Sequence, residues 1–181
     1  ARRVEERIGR KLDIVSGGAS SSYMRVLDGN IPEGINNLRI GEEILLPQDL
    51  LYLYGYPLNG MYDDVFTLES QVIEVRDKPS YPVGELGVDA FGHKPVYIDK
   101  GIRRKVLLAM GHLDYCDYKD LIPQDKDVEI LGCSSDHTIM DVTDAPRTYH
   151  VGDIVKFNLI YGTNLFLCHS QNVQKVFIDE E

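Results

Sequence analysis

The sequence predicts a chain in two parts, a stretch of β/α alternation followed by an all-β domain of the sandwich or barrel kind. Three observations predict it. From Val4 to Ile40, a helical apolar stripe, a short strand, a glycine-rich turn, a second helix and a second short strand follow one another, the rhythm of a parallel sheet or barrel. Between Pro47 and Tyr62, Tyr, Gly and Pro accumulate without a clear period, which reads as a connection. From Val65 onward, short strand candidates recur with turn residues between them.

Val4, Ile8 and Leu12 recur at i, i+4 and i+8 among Arg2, Arg3, Glu5, Glu6, Arg7, Arg10 and Lys11, so the chain opens on an amphipathic helix. No plausible cap precedes it, and the pattern therefore predicts a helix entered partway along, in a piece cut from a longer protein. Residues 12–16 read as a strand broken by Gly17-Gly18, and residues 21–27 as a helix closed by Asp28-Gly29. Pro32-Glu33-Gly34 is a turn, and Asn37-Leu38-Arg39-Ile40 a second strand ending at Gly41. The change to β structure is expected near residues 58–64. Beyond it, strands are expected over 65–75, 104–110, 128–133, 138–142 and 153–160. Turns at Asp77-Lys78-Pro79, Phe91-Gly92, Pro123-Gln124-Asp125 and Val151-Gly152-Asp153 separate them.

Composition narrows the function. Lys and Arg number 19 against 29 Asp and Glu, a formal net charge of −10, which excludes sequence-independent nucleic-acid binding and a polybasic membrane anchor. No apolar run approaches the roughly 18–20 residues needed to span a bilayer, and the N-terminus is not a signal peptide. Cys116, Cys133 and Cys168 are odd in number and lack metal-ligand spacing, which predicts reduced thiols in a cytoplasmic protein without a metal site.

Several residues offer chemistry. Gly17-Gly18-Ala19-Ser20-Ser21-Ser22 lies between a strand and a helix N-terminus, where small side chains, free N–H groups and hydroxyls make either an anion site or simply a capped helix. Arg39 ends the next strand and could clamp an anion, donate to a ring nitrogen or form a surface ion pair. His112, in Gly111-His112-Leu113-Asp114, is a proton carrier or a structural loop residue. Ser134-Ser135-Asp136-His137 gathers an acid, hydroxyls and an imidazole, but adjacent side chains diverge along an extended chain and cannot form a Ser-His-Asp relay. Tyr161 could offer a phenol to an anion or fill an interface.

Taken in order, residues 14–22, the segment Leu38-Arg39-Ile40-Gly41-Glu42, residues 84–92 and residues 130–137 resemble the alanine/ornithine racemase family, the fold-type III pyridoxal-phosphate-dependent amino-acid racemases. The resemblance covers nearly the whole chain. It implies the last units of a cofactor-binding (β/α)8 barrel over residues 1–60 and the entire C-terminal β domain over residues 61–181. It further implies that Ser20 and Ser21 bind the phosphate of pyridoxal 5'-phosphate, helped by the backbone of Gly41 and Glu42 and by the Tyr161 hydroxyl, while Arg39 faces the pyridine nitrogen. His112 and Asp136 would be presented to the active site of the other subunit of a homodimer.

Two departures from the family pattern carry information. No lysine here has the strand-end setting of the family's cofactor lysine, so the isolated chain is expected to be inactive. His112 stands where alanine racemases carry a catalytic tyrosine, which points to the ornithine-type branch and a cationic amino acid such as ornithine or lysine. Ala19 also replaces the usual asparagine of the phosphate turn. The alternative expectation is a non-catalytic relative, a cofactor carrier or β-rich interaction domain.

Overall fold

The computed structural model describes residues 1–88, 92 and 96–178. Asp89, Ala90 and Phe91, from the third motif and its expected turn, lie outside the described residues. Two compact units divide the chain, Ala1–Val65 and Phe66–Glu181.

In the first unit, α1 (Arg2–Ile8) ends at Gly9, whose left-handed φ of 69° suits a residue without a Cβ. Its stripe is uncovered, with Val4 51% and Ile8 48% exposed. The two expected strands shrink to a single parallel bridge, Ser16 to Asn37. The cause is Asn36, whose side-chain amide accepts from the Val15 N–H at 2.8 Å and donates to the Asp13 carbonyl at 2.8 Å. A side chain that takes those backbone groups stops the ladder from extending. The next helix begins as a tight turn, Ser20–Ser22, and continues as α2 (Tyr23–Leu27). Two short helices follow, α3 (Glu42–Leu45) just before the connection expected to be irregular and α4 (Gln48–Tyr52) at its start, split at Leu46-Pro47. Leu46 and Leu50 are buried there, which stabilises turns that have no visible period in sequence.

The second unit is a mainly β fold, an antiparallel sheet curled as a half-barrel. Its strands are β1 (Thr67–Pro79), β2 (Ile102–Leu108), β3 (Ile122–Pro123), β4 (Glu129–Cys133), β5 (Thr138–Asp141) and β6 (Ile154–Asn158), ordered β3-β6-β1-β2-β5-β4. β1 is the hinge of this order. Its first half pairs with β6, Thr67 to Gln71 against Asn158 to Ile154, and from Val72 it pairs with β2. A register shift between Val72 and Glu74 marks the handover, as bulges do where a sheet bends. Side chains alternate across the pleat, so Leu68, Ser70 and Val72 point into the core. Val72 lies opposite Leu108, Val106 opposite Met140, and Leu68 opposite Phe157. Two helices complete the unit: α5 (His112–Tyr115), directly after β2, and α6 (Tyr161–His169), directly after β6, which buries Thr163 and Leu167. α6 occupies chain that the sequence leaves without an element.

Phe157 is fully buried on β6, between β3 and β1. Phe157→Ala should lower unfolding free energy by roughly 3–5 kcal/mol, whereas Val151→Ala, on an exposed turn, should change it by less than about 0.5 kcal/mol. Urea denaturation of both variants measures the difference.

Candidate functional site

The expected phosphate and ring ligands of the first unit come from two segments joined at the Ser16–Asn37 bridge. The Gly17 N–H donates to the Asn37 carbonyl at 3.0 Å, and the Ser16 hydroxyl donates to Asn37 Oδ1 at 2.8 Å. Arg39 Nη1 donates to Ser16 Oγ at 2.6 Å, and no carboxylate among the described residues pairs with the Arg39 guanidinium. The Gly41 N–H donates weakly to Ser20 Oγ at 3.4 Å, which leaves the Ser20 hydroxyl proton for another acceptor. Ser20, Arg39 and Gly41 are thus gathered along one edge, all as donors. The two glycines of the turn serve packing. A Cβ on Gly17 would lie 2.5 Å from Ile35 Cδ1, and one on Gly18 would lie 2.9 Å from the Ser22 Cβ at a φ of 76°. A Cβ on Gly41 would meet nothing within 4 Å, so backbone there is open to approach.

Glu42 carries an unexpected feature. Burial, and then a hydrogen bond and repulsion from Asp49, push its carboxyl up to about 8. Burial and the same Asp49 charge push Glu43 up to about 7. Glu43, Gln48 and Asp49 are buried, and Glu43 Oε2, Asp49 Oδ1 and both amide atoms of Gln48 have no hydrogen-bond partner among the described residues. Acidic residues are exposed by default, so nothing in the sequence signalled this cluster.

In the second unit, the His112 and Asp136 segments form one body. Gly111 packs so closely that a Cβ would fall 2.3 Å from the Ser135 carbonyl oxygen and 2.4 Å from the Asp136 nitrogen. The His112 N–H donates to the Ser134 carbonyl at 2.9 Å and the Leu113 N–H to the Ser135 carbonyl at 3.1 Å. These are free N–H groups of the first turn of α5, which a glycine N-cap cannot satisfy by side chain. Asp114 supplies the reciprocal contact: its Oδ2 accepts from the Gly111 N–H at 3.0 Å. Its Oδ1 accepts from the Ser170 hydroxyl at 2.9 Å, tying α5 to the end of α6. Beneath the turn, Thr138 Oγ1 donates to the Met110 carbonyl at 2.9 Å, so its 2.6 Å contact with Tyr115 is donated by the phenol. Burial pushes the Tyr115 phenol far up, which keeps that proton in place. α5 ends at Cys116 in a left-handed γ-turn, φ 76° and ψ −69°, with the Asp117 N–H donating to the Tyr115 carbonyl at 3.1 Å.

His112 is half-buried at the start of α5, Asp136 is exposed on the adjoining loop, and Tyr161 is exposed at the start of α6. Ser21 is exposed beside Ser20. Sequence reasoning missed Ser16, the partner of Arg39, and Asn37, which accepts from Ser16, together with Ser170 and the Tyr115–Thr138 pair. Asp114 was missed as well, since its capping partner is a glycine and not the Ser or Thr of the usual capping sequence. Among the described residues no group of His, Cys, Asp and Glu could hold a metal ion, and no helix is long and apolar enough to cross a membrane.

No protein-family model matches the chain. It is 50% identical over 165 residues to ornithine racemase of Acetoanaerobium sticklandii, covering 91% of this chain and 46% of that protein. It is 41% identical over 175 residues to lysine racemase of Thermotoga maritima, covering 97% of this chain and 48% of that protein. Over nearly its whole length the chain is thus similar to an ornithine racemase and a lysine racemase. It spans about half the length of the curated relatives it matches, corresponding to their C-terminal part. Solved structures show the same fold. Alanine racemase from Pseudomonas aeruginosa is 18% identical with a TM-score of 0.56, covering 95% of this chain and 49% of that one. Alanine racemase from Oenococcus oeni is 19% identical with a TM-score of 0.53, covering 92% and 47%. D-threonine aldolase from Filomicrobium marinum is 14% identical with a TM-score of 0.53, covering 88% and 35%.

The raised carboxyls of this racemase relative set a pH dependence. A carboxyl whose folded pKa is raised favours the folded state most below its unfolded value of 4.5, and loses that advantage as pH rises through about 7 to 8. The urea midpoint should therefore fall between about pH 5 and about pH 8.5, and Glu43→Gln should flatten the decline. A decline of equal depth in Glu43→Gln would remove Glu43 as its source.

Proposed function

We propose that the chain is the C-terminal portion of a pyridoxal-phosphate-dependent amino-acid racemase that interconverts the L and D forms of a cationic amino acid, ornithine or lysine. The supporting observation is the 50% identity to an ornithine racemase, together with the gathering of Ser20, Arg39 and Gly41 as donors along one edge. That donor set suits the group. A phosphate accepts from hydroxyl and backbone N–H donors, and a pyridine nitrogen accepts from a guanidinium without being protonated by it. Pyridoxal 5'-phosphate, when bound, supplies the electron sink that lowers the barrier to removing the Cα proton.

The residues of the chain do the rest. Ser20 and Ser21, with the Gly41 and Glu42 backbone, hold the phosphate. Glu42 beside a phosphate would repel it if charged, and a carboxyl raised to about 8 is mostly protonated near neutral pH. Arg39, permanently cationic, holds the ring nitrogen unprotonated and so limits side reactions. His112 moves a proton at Cα on one face of the substrate, an imidazole being suited to both removal and return near neutral pH. Asp136 lies beside it and offers a carboxylate to the substrate's distal ammonium. In this reading the two residues serve the partner's site of a cytoplasmic homodimer, residues 1–60 complete the barrel, and the opposing lysine base comes from a barrel half that this chain does not include; the family resemblance supports it.

The complete protein should racemise L-ornithine or L-lysine when supplied with pyridoxal phosphate, and the isolated chain should not. In the complete enzyme, Arg39→Ala should lower turnover by roughly 100- to 1000-fold while cofactor is retained, whereas Ser20→Ala should weaken cofactor binding and recover turnover at saturating cofactor. Normal turnover in Arg39→Ala makes that arginine a surface residue. Absence of racemisation by the complete protein leaves the non-catalytic relative as the better reading.

A further inference from the structure

We propose that Asp114 and Ser170 form a positioning pair that sets the His112 imidazole for proton transfer and couples it to α6; this rests on the reading of His112 as a racemase base. Asp114 is 6% exposed, so its retention as a buried acid needs a local cause. The cause is the pair of bonds its two oxygens accept. Oδ2 takes the Gly111 N–H at 3.0 Å, and Oδ1 takes the Ser170 hydroxyl at 2.9 Å. The first bond orients the residue before His112, and the second fixes α5 against the segment that leaves α6. Ser170 also accepts from the Asn172 N–H at 3.2 Å, which holds its hydroxyl proton toward Asp114.

The geometry makes this more than a helix cap. His112 and Leu113 donate their N–H groups to the Ser134 and Ser135 carbonyls, so a shift of the Gly111–Asp114 turn moves the Asp136 loop with it. Tyr161 opens the helix that Ser170 closes. The Asp114 carboxylate is therefore the point where three segments meet: the one carrying His112, the one carrying Asp136 through the Gly111 contact, and the one carrying Tyr161. Losing it would let the turn that carries His112 shift, and near-attack geometry is lost with small displacements.

The test uses the complete racemase. Ser170→Ala removes one bond at a half-buried position and keeps the fold, and Ser170→Thr restores the hydroxyl. Asp114→Asn keeps one acceptor oxygen but turns an amide donor toward one of two N–H or O–H donors. Ser170→Ala and Asp114→Asn should each lower kcat about tenfold with KM within about twofold, and Ser170→Thr should return kcat to within about twofold of the parent. Amide hydrogen exchange at His112 and Leu113 should quicken in Ser170→Ala and not in Ser170→Thr. Unchanged exchange and unchanged kcat in Ser170→Ala overturn the proposal, and so does a loss confined to KM. His112→Gln separates the two readings. If that variant turns over normally while Ser170→Ala still quickens exchange, the pair positions the turn but His112 is not the base.

Discussion

The close approach of Gly111 to the Ser135–Asp136 peptide is the contact on which the second unit's candidate chemistry depends. A Cβ there would stand 2.3 Å from a carbonyl oxygen, well inside any real contact. The φ of Gly111 is −147°, which other residues adopt freely, so glycine is needed here for space and not for backbone freedom. With that space, the first N–H groups of α5 reach the Ser134 and Ser135 carbonyls, and two loops distant in sequence move as one. Without it, His112 and Asp136 would sit on independent loops.

The sheet explains why those loops meet. β2 ends just before Gly111, and β4 ends at Cys133, just before Ser134. Both strands flank β5, with Val106 and Ile130 each opposite Met140, so their ends are brought to the same edge. The fully buried Val106, Leu108 and Met140 hold that register, because a slip of one residue would turn them to solvent. Packing in the core thus fixes which loops can touch.

Legibility in the sequence follows the range of the forces involved. α1 and the strands of the second unit other than β3 were readable, because periodicity and turn residues act locally; β3 (Ile122–Pro123) lies where Pro123 was read as a turn. The strands of the first unit were read too strongly: Asn36 inserts its amide where ladder bonds would run, a competition that spacing does not reveal. β1 is longer than its alternation, continuing through exposed Arg76, Asp77 and Lys78, since pairing with β2 holds it without burial. α3, α4 and α6 were missed because burial of Leu46, Leu50 and Leu167 stabilises short turns of weak local preference. For the site, residue types pointed to Ser20, Arg39, His112, Asp136 and Tyr161, but not to the partners that orient them, Ser16, Asp114 and Ser170. Those are set by contacts between distant segments, which no motif records.

The account stands or falls on whether the Gly111 contact holds the His112 turn in working order. Under the proposed function, Gly111→Ala in the complete protein, with cofactor content and far-ultraviolet spectrum checked against the parent, tests it most directly. The account expects cofactor to remain bound and turnover to fall by about tenfold or more, because the added Cβ must push the Ser134–Asp136 loop away. Turnover and pH profile equal to the parent's would show that the turn and the loop need not be joined, and would contradict the account.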